Sequence, residues 1–266
     1  MISDYHVHSH FSGDSDTQPE DIIRRAIELE MSSICFTDHY DLDYPDEPEI
    51  FLLDISRYFE SLRLLQDKYS AHIQIRIGLE LGLQQHLQKE CCAIAAAYPF
   101  DFIIGSSHVV NHRDPYYPSY FEGRTEEDGY REYFQSILDN LTVFEDFDVY
   151  GHLDYVIRYG PNQDQFYSYA QYQDILEQIL KTCLEKNIGL ELNTGGLARG
   201  LRHPHPHPDI LKRYQELGGE ILTIGSDAHI SQNLAYDFHK IRDFLEYCGF
   251  SYYTVFEKRK PQFIKL

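Results

Sequence analysis

The feature that most restricts the fold of this chain is a strict alternation of short apolar segments with longer segments of helical periodicity. The apolar segments lie at residues 2–6, 33–37, 73–80, 101–106, 149–152, 188–193 and 221–226. The helical patterns that follow them lie at 19–30, 51–69, 84–97, 125–141, 169–186, 208–217 and 231–247. Strands alternating with helices form parallel sheets, and seven such units favour closure into a TIM-like α/β barrel. We expect one domain over residues 1–266, with a last strand at 252–256 that either closes the barrel or covers its bottom.

Charge and cysteine usage narrow the class of protein. The formal net charge is −20, which disfavours a nucleic-acid partner because long polyanions would be repelled. The five cysteines include no Cys-x-x-Cys pair, and their odd number and scatter fit a reducing compartment. The N-terminus lacks the basic and apolar regions of a signal peptide, and no apolar run approaches membrane-spanning length. We expect a cytoplasmic protein with no membrane or nucleic-acid partner.

Histidines and carboxylates are concentrated where the predicted strands end. Such residues end six of the seven strands: His6, His8, His39, Glu80, His108, His152, Asp227 and His229. The first and last strands each end in a pair two residues apart, and such residues share one face of a strand. Because the carboxyl ends of barrel strands meet at one end of the barrel, these side chains are expected to converge there.

The chemistry of this set points to metal ions. Imidazole and carboxylate together suit zinc, iron or manganese. The candidates outnumber the ligands of one metal, which predicts a site of several metals with Glu80 as a bridging carboxylate. Cations held close together would lower the pKa of a bridging water and neutralise the oxygens of a phosphate ester. The pattern therefore favours hydrolysis of phosphate esters.

Taken together, these motifs resemble the polymerase-and-histidinol-phosphatase (PHP) family over essentially the whole chain. The matching pieces are His6-Val-His8, Asp14 in Ser-Gly-Asp, Thr37-Asp-His39, Glu80, His108, His152 and Asp227-Ala-His229. The resemblance implies a distorted (β/α)7 barrel and a centre of three divalent ions, which could be zinc, manganese or iron.

The resemblance also implies how the ligands divide among the three ions. The implied sets are His6, His8, Glu80 and Asp227; Glu80, His108 and His152; and Asp14, His39 and His229. Some relatives carry a histidine where Asp14 stands. From the residues alone, Asp14 lies in a loop that also holds Asp16, and the role of a turn or capping aspartate stays open.

Within the family, the length of the chain and the stretches 151–158 and 191–199 resemble the histidinol-phosphate phosphatase branch. This implies hydrolysis of a small phosphate monoester, L-histidinol phosphate, to L-histidinol and phosphate in histidine biosynthesis. The mechanistic hypothesis is that a metal-bridging hydroxide attacks phosphorus in line. Asp227 or His229 would be catalytic by relaying a proton to the leaving alkoxide.

Three residues outside the metal set are candidates for binding substrate. Arg158 and Arg199 follow the fifth and sixth strands, and the planar guanidinium suits phosphate oxygens. The alternative for each is a surface salt bridge on an acidic protein. Asn193, at the end of the sixth strand, could position substrate or cap the next loop.

Two further stretches are interpreted as surface loops. The sequence His-Pro-His-Pro-His-Pro at 203–208 resembles a metal-binding tract, but alternating prolines favour a rigid, extended loop exposed to solvent. The acidic run from Asp41 to Glu49 could attract an amine-bearing substrate, but a solvated acidic loop is the preferred interpretation.

Alternative functions remain open at this stage. A PHP-type phosphoesterase could act on a phosphotyrosine peptide or a nucleic-acid end, or the protein could bind metal without catalysis. An amidohydrolase-type barrel also begins with His-x-His, but that class often uses a lysine on the fourth strand, and residues 101–106 contain none. A homo-oligomer is compatible with the sequence.

Overall fold

The computed structural model describes residues 3–266, so Ile2 of the first predicted strand lies outside the described residues. The strands are β1 (Asp4–Val7), β2 (Ser33–Phe36), β3 (His39–Tyr40), β4 (Gln74–Gly82), β5 (Phe102–Ser106), β6 (Val149–Tyr150), β7 (Gly189–Asn193), β8 (Leu222–Gly225), β9 (Tyr252–Glu257) and β10 (Lys260–Lys265). The α-helices are α1 (Pro19–Glu28), α2 (Ile55–Tyr69), α3 (Gln88–Ala97), α4 (Glu126–Val143), α5 (Gln173–Glu185), α6 (Gly195–Ala198), α7 (Pro208–Glu216) and α8 (Ile241–Tyr247).

The parallel sheet follows the order β1-β2-β4-β5-β6-β7-β8, with β3 added beside β4. Its strands are short and almost wholly buried, as expected when helices cover a parallel sheet. Beyond the end of β8 the chain returns to β1: the Asp227 N–H donates to the His6 carbonyl (2.8 Å), and the His8 N–H donates to the Ala228 carbonyl (2.9 Å). These bonds nearly close the sheet, which confirms the predicted seven-stranded TIM-like barrel.

The C-terminal strands lie outside this sheet. β9 and β10 form an antiparallel hairpin. The Tyr5 hydroxyl donates to the Phe256 carbonyl (3.0 Å), and the Leu222 N–H donates to the hydroxyl of Thr254 (3.1 Å). Tyr5 and Leu222 lie near the starts of their strands, so the hairpin covers the amino-terminal end of the barrel. The predicted strand at 252–256 therefore covers the bottom, and the carboxyl end stays accessible.

The helix predicted at 231–247 is wrong over its first ten residues. Only Ile241–Tyr247 is α-helical, preceded by single 3₁₀ turns at Ser231–Asn233 and Phe238–Lys240. Between them Ala235 and Asp237 adopt the left-handed backbone conformation (φ 55° and 57°), which ends a right-handed helix. The Ala235 N–H donates to the carboxylate of Asp4, so a tertiary contact holds this conformation.

Within residues 3–266, none of the helices has the length and apolar character needed to cross a membrane.

Candidate metal centre

The side chains at the carboxyl ends of the strands converge on the fully buried carboxylate of Glu80. Five imidazoles lie within 3.4 Å of it: His6, His8, His39, His108 and His152. One oxygen, Oε2, lies 3.1 Å from His6 Nε2, whereas the other, Oε1, lies 2.9 Å from His152 Nε2. Glu80 thus faces two groups of histidines, which is the geometry expected of a bridging carboxylate.

Asp227 completes the first predicted ligand set. Its Oδ1 lies 3.4 Å from His8 Nε2 and 3.8 Å from His6 Nε2. Gly225, two residues earlier, allows this approach, because a Cβ there would lie 2.3 Å from the Cβ of His6. Asp227 itself has a left-handed backbone (φ 56°), a strained conformation that is common at functional sites.

The third predicted set also assembles. The Asp14 Oδ2 lies 2.9 Å from His229 Nε2 and 3.6 Å from His39 Nε2. The ring of His8 stacks on both His39 and His229, with ring centroids 4.3 Å and 4.1 Å apart. Asp14 therefore faces the cluster rather than acting only as a turn residue, and its role as a ligand stays a prediction.

Two of the histidines are oriented by buried carboxylates that the sequence did not single out as functional. His6 Nδ1 lies 2.6 Å from Glu191 Oε1, and His108 Nδ1 lies 2.8 Å from Asp41 Oδ1. Since a carboxylate accepts a hydrogen bond, each ring places its proton on Nδ1 and leaves Nε2 to face Glu80. Such partners fix the tautomer and orientation of metal-binding histidines.

A buried serine does the same for His8. The Ser12 hydroxyl donates to Asp38 Oδ1 (2.9 Å), so its single proton is used there. His8 Nδ1, 3.1 Å from the same oxygen, must then donate its proton to Ser12. This again leaves Nε2 of His8 to face Glu80 and Asp227.

The buried position of Asp41 corrects the interpretation of residues 41–49 as a solvated acidic loop. The side chain of Asp41 is only 3% exposed and holds His108. Its position two residues after His39 would have placed both on one face of a strand. Glu191 likewise lies two residues from Asn193 in β7. Because residues two apart in a strand share one face, this spacing could have indicated from sequence alone that both carboxylates face the site.

The electrostatics of the cluster favour the charged form of His6, His39 and His108 beside ionised carboxylates, whereas burial lowers the pKa values of His8 and His152. Burial alone would lower the pKa of His6, but the carboxylates of Glu191 and Glu80 raise it well above its usual value. Burial would also lower the pKa of His108, but the carboxylates of Asp41 and Glu80 outweigh this effect and raise it to about 10. Burial would raise the pKa of Glu80, but the neighbouring histidines hold it well below its usual range.

The donor set fits divalent metal ions. Several buried atoms that face one another have no hydrogen-bond partner within residues 3–266: Nε2 of His6 and His8, Nδ1 of His39 and Oε2 of Glu80. Unpaired buried polar atoms are costly, so their convergence indicates a missing partner. Four triads bring their ligand atoms within 4.8 Å of one another: His8, His39 and His229; His6, His8 and Glu80; His39, Asp41 and His108; and Glu80, His108 and His152.

Metal binding to this cluster is expected to release protons. A metal ion needs neutral imidazole, whereas His6, His39 and His108 have raised pKa values without metal. The affinity should therefore rise with pH below those pKa values, by about tenfold per unit for each proton released. Titration calorimetry in buffers of different ionisation enthalpy measures the release. A His72→Gln variant, altered at an exposed histidine, should match the parent; heats that do not depend on the buffer would contradict the prediction.

Beside the cluster lies a cavity of about 440 Å³, lined by both predicted arginines. The buried Arg158 donates from Nη2 to Asp227 Oδ2 (2.9 Å) and to Asn193 Oδ1 (3.3 Å). Arg199 is 40% exposed, and its Nη1 lies 3.6 Å from the same oxygen of Asp227. Neither arginine therefore forms a surface salt bridge remote from the site.

Asn193 is fully buried and is not among the residues lining this cavity. Its Oδ1 accepts the Gly195 N–H (2.8 Å) at the start of α6, and its Nδ2 donates to Glu191 (3.2 Å). Of the two roles considered for Asn193, the structure favours capping of the loop and support of Arg158.

The interpretation of residues 203–208 as a solvent-exposed loop is wrong: residues 203–206 are buried, and the last two are partly buried. His205 is fully buried, and its Nδ1 is hydrogen-bonded to Asp154. Its Nε2 accepts the Nε–H of Arg158 (2.9 Å). Burial lowers the pKa of His205 to about 4, so it is neutral near pH 7 and can accept that bond. The proline-rich stretch thus holds Arg158 in place.

Comparisons with known proteins agree on one family. A model of the PHP domain matches residues 4–195. Histidinol-phosphatase of Lactococcus lactis is 34% identical over 258 residues, covering 97% of this chain and 95% of that protein. A probable histidinol-phosphatase of Clostridium acetobutylicum is 32% identical, covering 97% and 98%. A crystal structure of the Lactococcus lactis histidinol phosphate phosphatase, complexed with zinc, L-histidinol and phosphate, matches with a TM-score of 0.91 over 98% of both chains.

Proposed function

Since the chain belongs to the PHP domain family, we propose that it hydrolyses L-histidinol phosphate to L-histidinol and phosphate. The observation that carries this is the match, at 34% identity over nearly the whole chain, to a phosphatase whose crystal structure holds zinc, L-histidinol and phosphate. The geometry supports it independently, because a carboxylate–imidazole cluster and two arginines share one cavity.

We propose that the cluster holds three divalent ions, which are zinc, manganese or iron, in the three ligand sets that the family resemblance implies. When bound, these ions would neutralise phosphoryl oxygens and lower the pKa of an attacking water. Arg158 and Arg199 would bind the remaining phosphoryl oxygens and keep the phosphorus aligned for in-line attack. Glu191 and Asp41 would keep His6 and His108 directed at Glu80 throughout the reaction.

Asp227 and His229 are our candidates for moving protons. Burial would raise the pKa of Asp227, but Arg158 holds it well below its usual range, so this carboxylate stays ionised and, as a weak base, would hold a relayed proton only transiently. His229 Nδ1 lies 3.6 Å from Asp227 Oδ1. His229 Nδ1 donates instead to the backbone carbonyl of Asp227 (3.0 Å), so Asp227 or His229 would relay a proton toward the leaving oxygen individually, not as a hydrogen-bonded pair.

The cell compartment proposed is the cytoplasm. All five cysteines are free, and four of them are buried, which fits a reducing environment.

The test is phosphate release from L-histidinol phosphate, compared with p-nitrophenyl phosphate, on protein of measured metal content. We expect L-histidinol phosphate to be hydrolysed much faster, activity to be lost on chelation, and zinc, manganese or iron to restore it. Similar slow rates on both substrates would show that the protein is a phosphatase but would contradict L-histidinol phosphate as its substrate. Bound metal with no turnover of these esters, a phosphotyrosine peptide or a nucleic-acid end would indicate a non-catalytic metal-binding protein.

A further inference from the structure

A buried acid in the wall of the cavity has no role in the functions described so far. Asp114 is 7% exposed and lines the cavity. Its Oδ2 accepts the hydroxyl of Tyr44 (2.7 Å), and its Oδ1 accepts the Tyr116 N–H (2.7 Å). Within residues 3–266, no nitrogen of lysine, arginine or histidine lies within 4 Å of this carboxylate.

A buried carboxylate without a cationic partner is unusual, because acidic side chains are seldom buried unless they are paired. Burial raises the pKa of Asp114, and the two hydrogen bonds only partly oppose this. Two neutral donors leave each oxygen with further capacity to accept. The carboxylate is therefore arranged to receive a cation that the protein itself does not supply.

The surroundings of Asp114 are rich in tyrosine. Tyr116 packs against Tyr159 with ring centroids 5.4 Å apart, and Tyr159 packs against Tyr155 at 5.1 Å. All three rings line the same cavity, together with Tyr44. The faces of aromatic rings attract organic cations, and this attraction adds to that of a nearby carboxylate.

The distribution of charge in the cavity separates this acid from the phosphate-binding groups. Arg158 and Arg199 both approach Asp227, so the two arginines of the wall are already paired with an acid. Of the four acids that line the cavity, Asp14 and Asp227 belong to the predicted ligand sets and Asp41 is paired with His108, whereas Asp114 has no cationic partner within residues 3–266. An ester with an anionic phosphate and a cationic carbon skeleton would complement both features.

We propose that Asp114, positioned by Tyr44, is a specificity-determining residue that binds the cationic nitrogen of the alcohol part of the substrate. The ligand class is a protonated amine or imidazolium attached to the phosphorylated carbon chain. This rests on the proposed function, since L-histidinol carries both kinds of nitrogen.

Asp114→Asn tests the proposal because asparagine keeps the shape and the acceptor oxygen but removes the charge. The ratio of kcat/KM for L-histidinol phosphate to kcat/KM for p-nitrophenyl phosphate should fall about 10- to 100-fold, as expected for a lost hydrogen bond to a charged group. The change should appear mainly in KM, and inhibition by L-histidinol should weaken by a similar factor. Tyr44→Phe, which removes one donor to Asp114, should change the ratio in the same direction by less.

The matched control is Asp43→Asn, which removes a charge from an exposed side chain of the same acidic run and should leave the ratio unchanged. Equal losses on both substrates for Asp114→Asn, or no loss on either, would overturn the proposal. If the parent enzyme fails to hydrolyse L-histidinol phosphate, the proposed function is wrong. Calorimetric binding of L-histidinol to parent and Asp114→Asn protein would still decide whether the subsite exists.

Discussion

Replacing Glu80 by glutamine is expected to lower turnover of phosphate esters by about 1,000-fold or more and to reduce the amount of bound metal. This carboxylate faces five imidazoles, and it belongs to two of the four ligand triads. Glutamine preserves the volume but offers one neutral acceptor in place of two charged ones. A loss of several kcal/mol of charge stabilisation corresponds to at least this factor in rate.

Kinetics and elemental analysis of the same protein sample measure both effects. Glu90→Gln provides the control, because Glu90 is an exposed residue of α3 and its loss should change neither metal content nor rate. Glu80 also raises the pKa values of His6 and His108, so NMR titration of metal-free Glu80→Gln protein should show both lowered. Full metal occupancy with undiminished turnover would show that Glu80 is not a bridging ligand.

The histidines of the cluster were predictable because two simple rules fix their placement. Alternation along a strand puts His6 and His8 on one face, and parallel strands bring their carboxyl ends to the same end of a barrel. Neither rule needs knowledge of packing. The same rules placed Glu80 at the end of β4, where it lies beside His39 of β3 in the sheet register.

The groups that orient these histidines were harder to predict, because their function depends on burial. Asp41 stands in a run of acids whose other members include the exposed Asp43, and no local pattern separates the two. Glu191 lies in a buried strand, where an acid could equally pair with a cation from a helix. Only the folded arrangement brings Glu191 to His6 across the closure of β1 and β8.

The burial of His205 shows a different limit of sequence reasoning. Alternating prolines favour an extended backbone but do not determine what that backbone packs against. Here the His205 N–H donates to the Asn193 carbonyl (2.8 Å), and the Asn193 N–H donates back to the His205 carbonyl (2.7 Å). This pairing at the end of β7 draws the stretch inward, and it depends on residues 12 positions apart in the chain.

Arg158→Met is expected to lower kcat/KM for phosphate esters by about 100- to 1,000-fold, as for the loss of one donor to the transition state. Arg158 donates hydrogen bonds from Nε to His205 and from Nη2 to Asp227, so two sides of its guanidinium are fixed by the protein. Within residues 3–266 its Nη1 makes no hydrogen bond, and the residue lines the cavity. That nitrogen is therefore the one available to a phosphoryl oxygen.

Arg158→Lys tests whether the orientation of the planar guanidinium matters or whether a positive charge alone is sufficient. A lysine ammonium cannot reach His205, Asn193 and Asp227 in one plane, so the lysine variant should recover little activity. Inhibition by inorganic phosphate should weaken in both variants, which separates phosphate binding from a general loss of structure. Arg202→Met, which alters an exposed arginine paired with Asp164, should leave both quantities unchanged. Parent-like phosphate inhibition in Arg158→Met would mean that Arg158 supports Asp227 without contacting the substrate.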